Sequence, residues 1–371
     1  MLMKNFTLPF YVKLACVLLS ILLLGYLAIL GHTILAPLIF GFLCSVLLLP
    51  LANFLERKLR MPRSLASLLS SIALLLIIAA VFTLIGTQLS GLAQDLPAFK
   101  KQLLTSAADL QQWISNTFHV NNKAQIDYIN QAASKSLSTG TTILSKTLMS
   151  LSSLFLLLLF SFLYTFFMLF HRRLIIKFLV SLFKEKHSVI VYDIVHQIQY
   201  IIKRYIVGLF LQMVIVTILS CSAFYFIGVK YSFLLGLITG IFNIIPYIGI
   251  FTALLLTILI TFATSTATNV LFVVIALVII HAIDGNYIMP KIVGSKVQIN
   301  TLIALIGLVL GEMLWGITGM FLSIPMIAIM KVVFDRIPEL KPWGMLLGDE
   351  EDDKVNTKEA RKLEESIDGS L

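Results

Sequence analysis

Charged side chains are scarce in this sequence of 371 residues, where Asp, Glu, Lys and Arg together make up 13% and hydrophobic residues 58%. The mean hydropathy is +0.96, and apolar runs recur from Leu14 almost to Ile329. A soluble protein needs more polar surface than such a chain can present. The composition therefore excludes a soluble enzyme, a DNA-binding factor and a secreted disulfide scaffold, and it predicts an integral membrane protein.

Cysteines and catalytic motifs are also few. The three cysteines, Cys16, Cys44 and Cys221, lie inside apolar segments and do not have the spacing of metal ligands. The sequence contains no GxxxxGK[ST] phosphate loop, no GxSxG elbow and no HExxH pair. We therefore expect no enzymatic activity, no cofactor and no metal, and any transport must be secondary or passive.

The net charge of +9 is unevenly distributed along the chain. Residues 1–340 carry 23 Lys and Arg against 10 Asp and Glu, a balance of +13, whereas residues 341–371 carry 5 against 9, a balance of −4. The basic residues cluster beside apolar runs, at 56–63 and 171–177, and such clusters are retained in the cytoplasm. The charge therefore indicates membrane topology rather than nucleic-acid binding, and it predicts that both termini are cytoplasmic.

The apolar runs predict an all-α polytopic fold with about eight transmembrane or hairpin helices. Two of the runs are too long for one straight crossing and contain glycine and proline breaks, which favours a hairpin in each. These are 233–262 and 302–329. The others are 14–30, 34–51, 65–89, 148–170, 205–227 and 270–283.

These patterns divide the chain into six predicted segments. Residues 184–204 carry an apolar stripe, so they predict a helix in the cytoplasmic headgroup layer, with packing on the protein itself as an equal alternative. The six segments are the N-terminal transmembrane helices (1–90), an extracytoplasmic helical module (91–145), a transmembrane helix with a basic flank (146–183), the amphipathic helix (184–204), a transmembrane core with broken helices (205–340) and an acidic, disordered cytoplasmic tail (341–371).

Broken helices and polar groups inside a membrane are tolerated mainly where they face protein or water, so their coincidence marks candidate functional sites. The first such place is the break in 233–262. Pro246 removes a backbone donor there and Asn243 supplies a side-chain amide, between Gly240 and Gly249 and beside Tyr247. We interpret this break as part of a solute path, although close helix packing is the favoured explanation for the glycines alone.

The second candidate place is Gly311 with Glu312, the only acidic residue in the last apolar stretch. A carboxylate in hydrocarbon is the kind of group on which proton coupling depends. If the stretch is a hairpin, however, its tip lies near Glu312, which would then be solvated at the membrane surface. Both interpretations stay open. The two broken segments share a Gly-Leu-x-x-Gly spacing, at 236–240 and 307–311.

Three further polar residues end the span at 270–283. His281 and Asp284 are one helical turn apart and are predicted to pair, and Asn286 follows them. They form a secondary candidate site at a cytoplasmic mouth, and a plain helix-end cap explains them nearly as well.

Four motifs in the C-terminal third resemble the autoinducer-2 exporter family of bacterial permeases. They are NIIPYIG at 243–249, NYIMPKIVG at 286–294, GITGMFLSIP at 316–325 and KPWGMLLG at 341–348. The chain departs from many family members at Asn300-Thr301, where they have His-Pro or Asn-Pro, and at Gly311-Glu312, where they have Gly-Gly.

The resemblance implies export of a small polar metabolite such as autoinducer-2 across the bacterial inner membrane by a homo-oligomer. A neutral polyol would need hydrogen-bonding groups such as Asn243 and Tyr247. Some members are described as sodium/proton antiporters, which would instead require a buried carboxylate, with Glu312 as the candidate. A third alternative is a non-transporting scaffold whose 91–145 module and tail bind partners. We expect membrane lipid as a partner and no nucleic acid.

Overall fold

A computed structural model describes residues 9–118, 155–245, 248–294 and 299–348 of the chain. Within these ranges the secondary structure is helical and contains no strand, so the predicted all-α polytopic fold is confirmed. The helices are α1 (Phe10–Leu30), α2 (His32–Arg57), α3 (Arg63–Phe118), α4 (Phe155–Phe170), α5 (Arg172–Ser181), α6 (Ser188–Ile227), α7 (Ser232–Phe242), α8 (Ile248–Thr264), α9 (Ala267–Ile283), α10 (Thr301–Arg336) and α11 (Lys341–Leu347).

Six of the described helices are long and apolar enough to cross a membrane: α1, α2, α3, α6, α9 with its continuation to Ile292, and α10. A seventh crossing is formed if α4 and α5, which are bent by 72° at His171, count as one span. The shorter apolar helices α7 and α8 lie where the sequence predicts a broken hairpin. The run at 233–262 is too long for one straight crossing. It is divided between α7, which ends at Phe242, and α8, which begins at Ile248.

Two predicted segment boundaries do not coincide with helix ends. Helix α3 continues through residue 90 to Phe118, and α6 joins the amphipathic stripe to the following span in one helix of 40 residues, about 60 Å long. Ile202 near the end of this stripe and Tyr205 just after it are buried, so part of the stripe packs on the protein itself. Residues 119–145 of the module, like the tail beyond Gly348, lie outside the described residues.

The boundary predicted at 341 is corrected, because ordered structure continues to Gly348. Helix α11 is held against α10 by two contacts. The Asn300 backbone N–H donates to the Leu347 carbonyl at 3.0 Å, and a Cβ on Gly344 would meet the Asp335 side chain, so glycine permits the close approach. The segment predicted to be disordered therefore begins with a packed helix.

The described helices fall into two compact units. Among the described residues, the first comprises 9–49, 157–202 and 299–348, and the second comprises 50–118, 155–156, 203–245 and 248–294. In the second unit, Phe224, Leu235, Val273 and Leu277 form the centre of an apolar core that also includes Val229 and Ile260. This core joins α6, α7, α8 and α9.

In the first unit, α10 folds into the hairpin that its length predicts. Its helical dihedrals break at Trp315 and at Gly316, where φ is 60° and ψ −141°, a conformation open to glycine but rarely to other residues. A Cβ on Gly311 would meet the Gly319 carbonyl, so the two limbs pack backbone to backbone. The Trp315 Nε1–H donates to the Ala28 carbonyl at 2.9 Å, which places the hairpin tip beside the end of α1.

Packing at Gly311 predicts a position-specific loss of stability. We expect Gly311→Ala to lower the free energy of unfolding by about 1–3 kcal/mol, because the added methyl overpacks the limb contact. Gly25→Ala is the matched control, since no atom lies within 4 Å of a Cβ at Gly25 and alanine is the better helix former. Thermal unfolding of the detergent-solubilised protein measures both, and equal losses in the two variants would contradict the packing role.

Candidate functional site

Asp284 follows the last residue of α9 and is a buried carboxylate, with 3% of its surface exposed. The chain widens there into two π-helical turns, Asp284–Ile288 and Pro290–Gly294. Pro290 has no backbone N–H, and its ring would clash with the carbonyl four residues earlier in a regular α-helix, so wider turns accommodate it. Such π-turns inside helices occur frequently at functional sites.

Two amide side chains hold the Asp284 carboxylate. The amide nitrogen Nε2 of Gln212 lies 3.0 Å from Oδ1 and 2.9 Å from Oδ2 of Asp284. The amide nitrogen Nδ2 of Asn243 donates a hydrogen bond to Oδ2 at 2.9 Å. Gln212 and Asn243 are themselves only 5% and 6% exposed. We call these three residues the amide–carboxylate cluster. It joins the middle of α6, the end of α7 and the end of α9, all within the second unit.

Glycines on one face of α7 bring Asn243 to this position. A Cβ on Gly240 would meet the Thr217 hydroxyl and would lie 2.8 Å from the Met213 carbonyl, next to Gln212 on α6. A Cβ on Gly236, one turn earlier, would meet Cys221. Residues at i, i+4 and i+7 share a helix face. The face of α7 that carries Gly236 and Gly240 packs closely on α6, so Asn243, on the same face, also lies next to α6.

Gly249 has a related packing role at the start of α8. A Cβ there would meet the Phe242 carbonyl at the end of α7, so the two halves of the broken hairpin touch through backbone. Pro246 and Tyr247, between these halves, lie outside the described residues.

The cluster surrounds a buried carboxylate with neutral hydrogen-bond donors. Burying a carboxylate is expensive unless it is hydrogen-bonded, and amide donors offset part of that cost. If Asn243 turns away, Asp284 loses one of these hydrogen bonds, and if Gln212 turns away it loses both contacts from that side chain. The cluster is therefore a site where a solute or a cation that replaces an amide donor gains a strong interaction.

His281 and Asp284, which are predicted to pair, make no hydrogen bond with each other, and Asp284 bonds to the amides instead. Both ring nitrogens of His281 are buried and have no hydrogen-bond partner among the described residues. Asn286 is exposed, and its Nδ2 donates to the Ala282 carbonyl at 2.8 Å. Of His281, Asp284 and Asn286, only Asp284 belongs to the cluster. Its partner Asn243 comes from the predicted break in 233–262.

Gly311 and Glu312 belong to the other unit. Glu312 is exposed, three residues before the break at Trp315, which is the position that the hairpin alternative predicted for it. Gly311 serves the packing of the hairpin limbs.

The cluster residue that sequence reasoning missed is Gln212. It is the one amide side chain in the apolar run at 205–227, and a lone amide in a membrane span is itself unusual, since polar groups there must find partners. This signal was present, but no residue pattern shows which partner it meets.

The apolar helices, the broken hairpin and the buried polar cluster define a multi-pass helical membrane protein whose ionisable centre lies inside its spans, an arrangement typical of transporters. The chain belongs to the AI-2E family of transporters, because the profile described as AI-2E family transporter matches residues 17–339. The resemblance expected from the C-terminal motifs is thus confirmed, and it extends over nearly the whole chain.

Individual relatives agree with this membership. Over 325 residues the chain is 27% identical to "Putative transport protein YueF" of Bacillus subtilis, covering 83% of this chain and 85% of that protein. It is 25% identical to "AI-2 transport protein TqsA" of Escherichia coli over 319 residues, covering 85% and 90% of the two chains. "Putative transport protein YrrI" of Bacillus subtilis is 36% identical over 129 residues, covering 35% and 36%.

The cluster predicts a coupling energy between Gln212 and Asp284. Gln212→Leu should lower the free energy of unfolding by roughly 1.5–3 kcal/mol, because a hydrogen-bonded buried carboxylate loses a donor. In an Asp284→Asn background the same change should have a smaller effect, since no charge is left underpaired. Thermal unfolding of the four proteins in detergent gives the double-mutant cycle.

Asn286→Ala is the control for the loss of an amide, and we expect it to change stability by less than about 0.5 kcal/mol because its side chain is exposed. Additive effects of Gln212→Leu and Asp284→Asn would show that the cluster contributes no coupling.

Proposed function

We propose that this protein is a secondary transporter that exports a small polar metabolite such as autoinducer-2, and that the amide–carboxylate cluster binds the solute on its path. The observation that carries the proposal is the buried carboxylate of Asp284, held by Gln212 and Asn243 where three apolar helices meet. Membership of a transporter family supports the class of activity. The name of TqsA supports the choice of autoinducer-2 as the first solute to test.

The chemistry of the cluster suits a hydroxyl-rich, uncharged molecule. A carboxylate accepts hydrogen bonds from hydroxyl groups, and the amides of Gln212 and Asn243 each offer donors and an acceptor. A polyol can therefore exchange its hydrogen bonds with water for bonds to all three residues. His281 lies one turn before Asp284 and adds ring nitrogens that have no partner among the described residues.

Binding of a solute requires the amides to release Asp284, and the local backbone favours such a change. Asn243 is the C-cap of α7 at the helix break, and Asp284 begins the π-helical turns after α9. Ends and irregular turns of helices absorb changes in dihedral angles more readily than helix interiors. We infer that solute entry rearranges the cluster while α6, which carries Gln212 in a continuous helix, stays in place.

The proposal includes an orientation and an assembly. Basic clusters at 56–63 and 171–177 support cytoplasmic termini in the bacterial inner membrane. Exposed apolar residues of the helices, for example Leu22, Phe226 and Phe251, suit contact with lipid or with further copies in a homo-oligomer.

A second candidate function is cation exchange with protons, and the burial of Asp284 favours it as well. An antiporter needs a carboxylate that a cation and a proton occupy in turn within the membrane. Asp284 meets this requirement better than Glu312, which is exposed near the hairpin tip. The site of any sodium/proton antiport is therefore proposed at Asp284.

One liposome experiment separates the two functions. Purified protein is reconstituted, and labelled autoinducer-2 flux and internal pH are followed together, with and without a sodium gradient. For the exporter we expect autoinducer-2 flux without sodium-driven pH change, and a decrease of at least about tenfold in Asp284→Asn, because the loss of a charged hydrogen-bond acceptor costs about 1.5–3 kcal/mol.

Glu312→Gln is the matched control, a neutralised carboxylate outside the cluster, and it should transport like the wild-type protein. Sodium-dependent pH change that is lost in Asp284→Asn, without autoinducer-2 flux, would identify an antiporter. Absence of both activities in correctly folded protein would favour the non-transporting scaffold and contradict export.

A further inference from the structure

Four helices of the second unit each carry a polar side chain one turn away from the apolar core. Helices α6, α7, α8 and α9 contribute one core residue each to this comparison, namely Phe224, Leu235, Ile260 and Leu277. Three or four positions away on the same helices are polar residues, namely Ser220, Thr239, Thr257 and His281. Residues at this spacing are neighbours on one helix face. We call these four polar residues the inner polar residues.

The inner polar residues lie between the amide–carboxylate cluster and the core. On α6, α7 and α9, each of them stands in the chain between the cluster residue and the core residue of its own helix. Helix α8 has no cluster residue, but it begins beside the end of α7, because a Cβ on Gly249 would meet the Phe242 carbonyl. Thr257 lies on the way from Gly249 to Ile260.

Three of the inner polar residues have buried polar atoms without a hydrogen-bond partner among the described residues. These atoms are the hydroxyl oxygens of Ser220 and Thr257 and both ring nitrogens of His281. Ser220 and Thr257 are 0% exposed. Thr239 is equally buried and donates to the Leu235 carbonyl at 2.8 Å, so its oxygen can still accept a hydrogen bond. A buried hydroxyl that lacks a partner costs free energy, which calls for a specific explanation.

Other buried hydroxyls that lack a partner among the described residues do not lie between the cluster and the core. Ser67 and Ser161 belong to α3 and α4. Thr261 follows Ile260 on α8, on the side away from Gly249. The coincidence of an unpartnered hydroxyl with this position therefore singles out Ser220 and Thr257.

We propose that Ser220 and Thr257 bind hydroxyl groups of the transported solute on the core side of the amide–carboxylate cluster. This inference rests on the proposed function and extends its solute site from the cluster toward the core. Thr239 is one turn from Asn243, a rise of about 6 Å, so a small solute can contact the cluster and the inner polar residues together.

The chemistry of the inner polar residues selects an uncharged, hydroxyl-rich solute. A serine or threonine hydroxyl donates one hydrogen bond and accepts others, and a neutral imidazole also does both. The hydroxyl groups of a polyol have the same two capacities. A cation would use only the acceptor atoms and would leave the donors of these side chains unpaired.

The concentration dependence of autoinducer-2 flux into or out of liposomes tests the proposal. Ser220→Ala and Thr257→Val each remove one hydroxyl with little change in side-chain size. We expect each to raise the KM of flux about fivefold, because one hydrogen bond to the solute is lost, and to change the maximal rate less. Thr257→Ser keeps the hydroxyl and should retain a KM close to that of the wild-type protein.

Two matched controls remove buried hydroxyls that already have partners. Ser70 and Thr165 are 0% and 1% exposed, and they donate to carbonyls of their own helices at 2.8 and 2.7 Å. Ser70→Ala and Thr165→Val should leave the KM unchanged. Thermal unfolding in detergent gives a second measurement: Ser220→Ala and Thr257→Val should not lower the Tm, since they remove hydroxyls that have no partner among the described residues.

The outcomes distinguish this inference from the proposed function. A wild-type KM in both Ser220→Ala and Thr257→Val, together with reduced flux in Asp284→Asn, would overturn the inference and leave the proposed function standing. A KM that rises as much in Thr257→Ser or in the two controls would also overturn it, because the effect would not depend on these hydroxyls. Absence of autoinducer-2 flux in the wild-type protein would overturn the proposed function and this inference with it.

Discussion

The buried carboxylate of Asp284 constrains how the helices of the second unit pack, because its hydrogen-bond partners lie on two other helices. A carboxylate that is only 3% exposed must find its hydrogen bonds largely within the protein. Gln212 and Asn243 supply them only because α6, the end of α7 and the end of α9 meet at one point. Asn243 lies at the break of the hairpin and Asp284 lies in a π-helical turn. These irregular segments let polar side chains from otherwise apolar helices reach one another.

Glycine spacing provides the close approach in both units. The Gly-Leu-x-x-Gly pattern at 236–240 seats α7 on α6, and the same pattern at 307–311 lies on the first limb of the α10 hairpin, where a Cβ on Gly307 would meet Ile327 and one on Gly311 would meet Gly319. In each case the missing side chain lets the helices approach closely, which is how helices pack without a hydrophobic driving force in lipid. The shared pattern is thus explained by packing.

The proposed solute site depends on buried hydrogen bonds that can be exchanged. Gln212, Asn243 and Asp284 come from three helices and are each 6% exposed or less, so a solute reaches them only if the cluster rearranges.

The sequence by itself determined the all-α membrane fold and the two broken segments, because hydropathy, glycine and proline act locally along the chain. Its C-terminal motifs pointed to the family, and the break at Pro246 made Asn243 a candidate. It also named Asp284, but as the partner of His281, and it overlooked Gln212. Tertiary structure decided that Asp284 and Asn243 meet and that Glu312 stays exposed. Contacts between helices depend on their rotation and depth, and those are set by packing between segments that are 72 and 41 residues apart.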